Sequence, residues 1–325
     1  MLEQPISNSG ASSLTKYYRR PRISIKLPTN GLWYSPDVID LNENAVVNIL
    51  PMTGLDEIKA QTPELVSDAN FKFELIRSCC PVIKKPEELK QVDVNALMFG
   101  IYAATYGKNY KAKVVCPHCL EKYNKLENEE ARKLAVENKD IIIKEQSFTL
   151  PADKILEMEQ ICTTKDYVLE IDGLKFYLQP IDVKVVNDYT TTSFYQDMLE
   201  DRITTLTEEA NNGDKEKDEV IKIIQDEVKK YSDRIYNIVL DMIISSIEHI
   251  EIEETGEKVY NRTELAEFVK NSPHDIIEKI RKSRDDFFDK IGLPTTVKVE
   301  CNACHELIDV NTVVFDPTSF FDIAS

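Results

Sequence analysis

The feature that most constrains this chain is a pair of Cys-x-x-Cys motifs, Cys116-Pro-His-Cys119 and Cys301-Asn-Ala-Cys304, standing about 180 residues apart. A Cys-x-x-Cys turn lets two sulfurs converge while nearby backbone amides hydrogen-bond to them, and two such turns complete the tetrahedral thiolate shell that zinc prefers. Cys116, Cys119, Cys301 and Cys304 are therefore read as the ligands of one structural Zn(2+) ion. A closed shell leaves no position for water or substrate, so the metal is expected to contribute folding free energy and no catalysis. The long span between the pairs is unusual for a zinc ribbon. Closure entropy grows only logarithmically with length, however, so a folded insertion between the two knuckles is tolerable. His118 and His305 adjoin the cysteines and either can replace a sulfur in principle, but four thiolates already fill the shell.

The flanks shape the reading of each knuckle. Residues 111–123 (KAKVVCPHCLEKY) alternate on both sides of a tight turn, and residues 297–310 (VKVECNACHELIDV) do the same, so both pairs are expected at hairpin tips. A lone Cys-x-x-Cys is also a redox motif. The strand expected after Cys119, in place of a helix, removes the thiolate-stabilising helix N-terminus of thioredoxin-like sites.

Along the rest of the chain, residues 1–21 read as a flexible arm, rich in Ser, Asn and Gly at first and then basic through Lys16, Arg19, Arg20, Arg22 and Lys26. That arm is either solvated or a docking element. Short alternating stretches from Arg22 to Met52 suggest a small β-meander or a set of hairpins. Helices are expected in TGLDEIKAQTPELV and FKFELIRSCCPVI, and a core helix in DVNALMFGIYAATYGKNY with a stop near Gly107. Cys79, Cys80 and Cys162 read as buried hydrophobes.

Residues 166–181 alternate around Asp172-Gly173, a hairpin turn signal. Residues 190–252 look helical on either side of a polar linker. A stripe of Val220, Ile224, Val228, Tyr231, Ile235, Ile238 and Met242 either faces the core, the preferred reading, or forms a partner-binding seam. Ser272, Pro273 and Gly292 frame a helix over 273–291.

The expected fold is thus α+β. A small zinc-stapled β core is built from both chain ends (22–125 plus 293–325), with helices and a large, mostly helical insertion (126–292) carrying the 166–181 hairpin.

Charge and motif content narrow the function. A formal net charge of -17 repels a phosphate backbone, so a zinc-knuckle nucleic-acid-binding adaptor is only the alternative reading. No apolar run reaches the length that spans a bilayer, and the N-terminal residues lack a secretory pattern. The reducing cytoplasm where the chain is made is the expected location. Four histidines, none set in a Cys-His or Ser-His-Asp constellation, and nine glycines without a phosphate-cradling run argue against an enzyme. No catalytic or cofactor-binding residue is assigned beyond the zinc cysteines.

The order of several motifs resembles the baseplate hub and tail assembly proteins of T-even-like contractile-tailed bacteriophages. It runs through IKLPTNGLWYSP, NILPMTGLDE, the helix DVNALMFGIYAATYGKNY directly ahead of VVCPHC, and VECNACHELIDVNTVVFDPTSFF, where Asp316, Pro317, Phe320 and Phe321 match a terminal motif. The likeness covers residues 22–125 and 293–322. Residues 126–292 have no counterpart in the family's shorter members.

The resemblance implies a non-enzymatic role, either as a structural baseplate component that stays in the virion or as a chaperone of tape-measure and hub assembly. The implied partners are other tail and hub proteins, the tape-measure protein among the candidates, with no nucleic acid and no membrane span. Phe315, Phe320 and Phe321 either anchor into a neighbour or fold back on the chain's own core.

Overall fold

A computed structural model describes residues 19–41, 45–60, 70–107, 109–126, 128–138, 141–156, 160–209, 215–294 and 296–311. Lys16, the Ser-rich leader, part of the polar linker and the terminal Asp316, Pro317, Phe315, Phe320 and Phe321 lie outside these residues.

The first apolar alternation gives one antiparallel pair rather than a meander: β1 (Ile23–Lys26) on β2 (Val46–Ile49), in the register Ile25↔Val47. Between them the chain turns through Pro28–Asp40 instead of adding a strand. Against this pair packs α3 (Gln91–Tyr106), preceded by α1 (Gly54–Ala60) and α2 (Phe71–Cys79). Leu97, Met98, Phe99, Ile101 and Tyr102 of α3 are buried, and Gly107 ends the helix at φ 96° as its sequence suggests. Cys79 and Cys80 are fully buried here. Burial pushes the Cys79 thiol up to about 11 and Cys80 higher still, which suits core residues and not nucleophiles.

The close approach of α3 to the strands is set at Gly100, where an added Cβ would stand 2.4 Å from Ile49 Cδ1. Alanine needs only that one methyl to swing. Gly100→Leu is expected to overpack the seam and to cost about 3 kcal/mol in a urea titration.

The chain then forms β3 (Asn109–Val114), α4 (Pro117–Lys125), α5 (Glu129–Glu137), β4 (Gln146–Pro151) and a short α6 (Ala152–Leu156). β3 and β4 pair antiparallel, with Val114 opposite Gln146.

A second apolar cluster follows. β5 (Val168–Ile171) and β6 (Leu174–Leu178) meet at the expected Asp172-Gly173 turn, both residues at positive φ (49° and 80°) as a type I′ hairpin requires. Two long helices, α7 (Val183–Glu209) and α8 (Lys215–Ser245), pack antiparallel on each other before β7 (Ile247–Ile252) and β8 (Glu257–Val259) complete a sheet of order β5-β6-β7-β8. In the Val220-to-Met242 stripe Tyr231 contacts Tyr195 of α7, with ring centroids 6.1 Å apart, and Ile238 is buried, while Val220 at its start is exposed.

The inner face of the sheet, Phe176 and Ile250 among it, packs under α9 (Arg262–Asn271) and α10 (His274–Phe288). The last helix starts one residue later than expected, with Pro273 at the cap position and Ser272 instead donating to Phe268 O. β9 (Thr296–Glu300) and β10 (Leu307–Asn311) close the described chain as an antiparallel hairpin. The fold is α+β, with small sheets.

The two clusters are joined at the segment Leu27–Tyr34. Leu32 and Trp33 pack into the second cluster, Trp33 against Tyr167 and Phe288, while Leu27 belongs to the first. The same segment is pinned by Asp93 at the start of α3. This fully buried carboxylate accepts hydrogen bonds from Thr29 N at 2.9 Å, from Thr29 Oγ1 at 2.5 Å and from the Tyr34 hydroxyl. Lys90, one turn away, is paired with Asp182 at 2.7 Å. Among the described residues no helix is long and apolar enough to cross a membrane.

Candidate metal centre

The first knuckle differs from its expectation. Cys116 caps a helix: it has extended backbone angles (φ -68°, ψ 118°), Pro117 occupies the first helical turn, and the Cys119 amide donates to Cys116 Sγ at 3.4 Å. The alternation read as a second strand in LEKY belongs to α4. Proline's fixed φ starts the helix and an i,i+4 pair, Glu121 with Lys125 at 2.6 Å, supports it. The helix start that redox Cys-x-x-Cys sites use is therefore present, and its expected absence no longer argues for metal.

The second knuckle is the expected hairpin tip. Cys301 N donates to Glu306 O at 3.0 Å and His305 N to Cys301 O at 3.1 Å, while His305 takes φ 59° to turn the chain.

What separates this site from a redox pair is the meeting of the two knuckles. Cys116 Sγ lies 3.6 Å from Cys304 Sγ and Cys119 Sγ lies 3.7 Å from Cys301 Sγ, and all four sulfurs are within 4.8 Å of one another. Those spacings are far longer than a disulfide's ~2.05 Å. They match the edge of a tetrahedron with Zn–S bonds of about 2.3 Å, which is roughly 3.8 Å. Cys116, Cys119 and Cys301 are buried, Cys304 is half-buried, and Ile141, Phe148 and Ile308 wall the cluster. Neither histidine joins: His118 is exposed on α4, and His305 Nδ1 is bonded to Glu300 Oε1 at 2.8 Å. The four-cysteine cluster can hold a metal ion such as zinc.

The surroundings shift the Cys116, Cys119 and Cys301 thiols in different directions. Burial raises the Cys116 thiol, and raises Cys119 to about 12 despite the Ile142 amide that donates to it. Cys301 goes the other way. Burial pushes it up, but the Cys304 and Ala303 amides and the Gln146 carboxamide outweigh that and bring it down to about 6. The Gln146 Nε2–H···Sγ distance is 3.3 Å and the Ala303 N···Sγ distance 3.5 Å.

Gln146 had no sequence assignment. Its signal lies in QSFTL, where Gln146, Phe148 and Leu150 are buried and Ser147 and Thr149 exposed. That alternation marks a strand, and the glutamine on its inner face marks a polar group that needs a partner.

Away from the sulfurs, a groove of about 420 Å³ opens between the β5–β6 turn and the α9–α10 junction. Ile171, Leu174, Phe176, Phe268 and Ile276 line it, with Glu264 and Glu267 but without histidine, cysteine or lysine. Asp172 and Ser272 also line it, and the Ser272 hydroxyl donates to Phe268 O.

One family model, described as T4 bacteriophage base plate protein, matches residues 40–322. Neither a curated protein nor a solved structure gives a significant match.

Proposed function

The chain belongs to the T4 bacteriophage base plate protein family, and from that premise we propose that it is a zinc-stapled, non-enzymatic protein of the baseplate hub. It acts in hub assembly as a structural component or as a tape-measure and hub chaperone. The family carries the baseplate role and, with it, other baseplate proteins as partners. The observation that supports the staple is the convergence of four sulfurs from two ends of the chain to within 4.8 Å. When bound, zinc supplies a closed tetrahedral junction. The chain's own residues do the rest: Pro117 starts the helix that aims Cys119, and the β9–β10 hairpin presents Cys301 and Cys304.

On this reading residues 22–125 and 293–325 form the zinc-knuckle core, and 126–292 are carried between the knuckles as an insertion. A zinc-knuckle adaptor for nucleic acid remains the second reading, disfavoured by the net charge of -17.

Two measurements test the proposal together: native mass spectrometry of the purified chain with and without chelator, and a blot of purified virions. One zinc per chain with the protein in virions assigns a structural component. One zinc with the protein absent assigns an assembly chaperone. A chain that carries no zinc after purification under reducing conditions overturns the staple.

A further inference from the structure

We propose that Gln146 is a positioning residue of the metal centre, the side chain that ties the two knuckles into one site; this rests on the metal reading above. Its backbone sits beside the first knuckle, since Gln146 is opposite Val114 in the β3–β4 pair, two residues before Cys116. Its side chain reaches the second. Nε2–H donates to Cys301 Sγ at 3.3 Å, and Oε1 accepts from the Asn302 amide at 3.2 Å. An amide N–H can only donate, so the Asn302 contact fixes which way the carboxamide faces and aims its NH₂ at the sulfur. At 5% exposure the group has little recourse to water if either bond is lost.

The same stretch of chain lies against the other pair, since Ile141 packs in the apolar cluster that holds Cys116 and Cys119. Residues 141–146 thus border both knuckles, and Gln146 supplies their donor to Cys301. Donors to a ligating sulfur orient it and stabilise its negative charge, and removing such a partner typically weakens metal binding 10–100-fold.

The test uses the full chain as wild type, Gln146→Leu, Gln146→Glu and Gln146→Asn. Zinc affinity is read by chelator competition, and the sulfur-to-metal charge-transfer bands by Co(II) substitution. Gln146→Leu is expected to weaken zinc about 10–100-fold and to move the Co(II) charge-transfer band to lower energy, because a sulfur without its donor gives up electron density more readily. Gln146→Glu, which places a carboxylate against the thiolate, is expected to weaken zinc at least as much.

A merely structural role would lower stability while leaving the Co(II) band in place. That outcome, or wild-type zinc affinity in both variants, overturns the proposal. Should Gln146→Leu fail to fold, the decision passes to Gln146→Glu and Gln146→Asn, whose unshifted bands would overturn it equally. Metal bound normally by wild type and all variants sinks only the role of Gln146, whereas a wild-type chain that binds neither Zn(II) nor Co(II) sinks the metal reading and this inference with it.

Discussion

A Cys301→Ala chain is expected to lose its metal ion and with it about 4–5 kcal/mol of stability or more, the range in which loss of a bound metal stands out among single substitutions. Cys301 is the most consequential of the four because three donors converge on it: the Gln146 carboxamide and the Ala303 and Cys304 amides. Alanine removes a ligand and strands those donors at once, in a cluster that Ile141, Phe148 and Ile308 shield from water. Cys79→Ala, Cys80→Ala and Cys162→Ala make the contrast. Each thiol is fully buried in the first or second apolar cluster, so each substitution is expected to leave metal content intact. Metal analysis beside denaturant unfolding reads both effects. Full zinc in Cys301→Ala would show that the two knuckles do not share an ion.

Asp93→Ala is expected to be the most damaging change away from the metal, costing about 3–5 kcal/mol, because it leaves the Thr29 amide, the Thr29 hydroxyl and the Tyr34 hydroxyl without their acceptor. These groups hold the segment from which Leu27 enters the first cluster and Trp33 the second, so the loss should spread to both.

The carboxylate also carries a pH signature. Burial raises it to about 6, against the Thr29 and Tyr34 hydrogen bonds and nearby Lys90 that pull it down. The folded chain therefore keeps a proton that the unfolded chain has already released near its ordinary value of 3.8. Stability from this group is present below about pH 4 and declines as pH rises through about 6, by about 3 kcal/mol in all. Asp93→Asn has no such proton. Unfolding followed by tryptophan fluorescence is expected to show its stability flatter than wild type over that window, and an equal slope in both would assign the pH dependence elsewhere.

Much of this molecule was legible before any coordinates, and the misses have physical causes. Asp172-Gly173 specified its hairpin because few residues tolerate two successive positive φ angles, and Gly107 specified the end of α3 for a similar reason. The paired Cys-x-x-Cys spacings pointed to one another, and the four sulfurs do converge to within 4.8 Å. The hairpin expected around Cys116 failed because LEKY suits period 2 and period 3.6 equally over so few residues, and Pro117 in the first helical turn decides for the helix. Gln146 escaped notice because its importance lies in where β4 is placed by a partner strand more than 30 positions earlier, which is not written in its neighbours. Asp93 carries no local signal that sets it apart from the chain's 57 acidic residues. Its role depends on Thr29 and Tyr34, more than 50 positions away.

The long interval between the knuckles also has a consequence in time. A ribosome adding about 5–20 residues per second needs roughly 10–35 seconds to pass from Cys119 to Cys301. Over that interval the first thiol pair has only half of the four-sulfur set, while the chain that folds into the second apolar cluster is still being made. Closure of the centre is therefore a late event in biogenesis, one that takes place only after the intervening polypeptide has emerged. A nascent chain halted before Cys301 would carry only two of the four thiols, so the cluster cannot close until the second pair has been made.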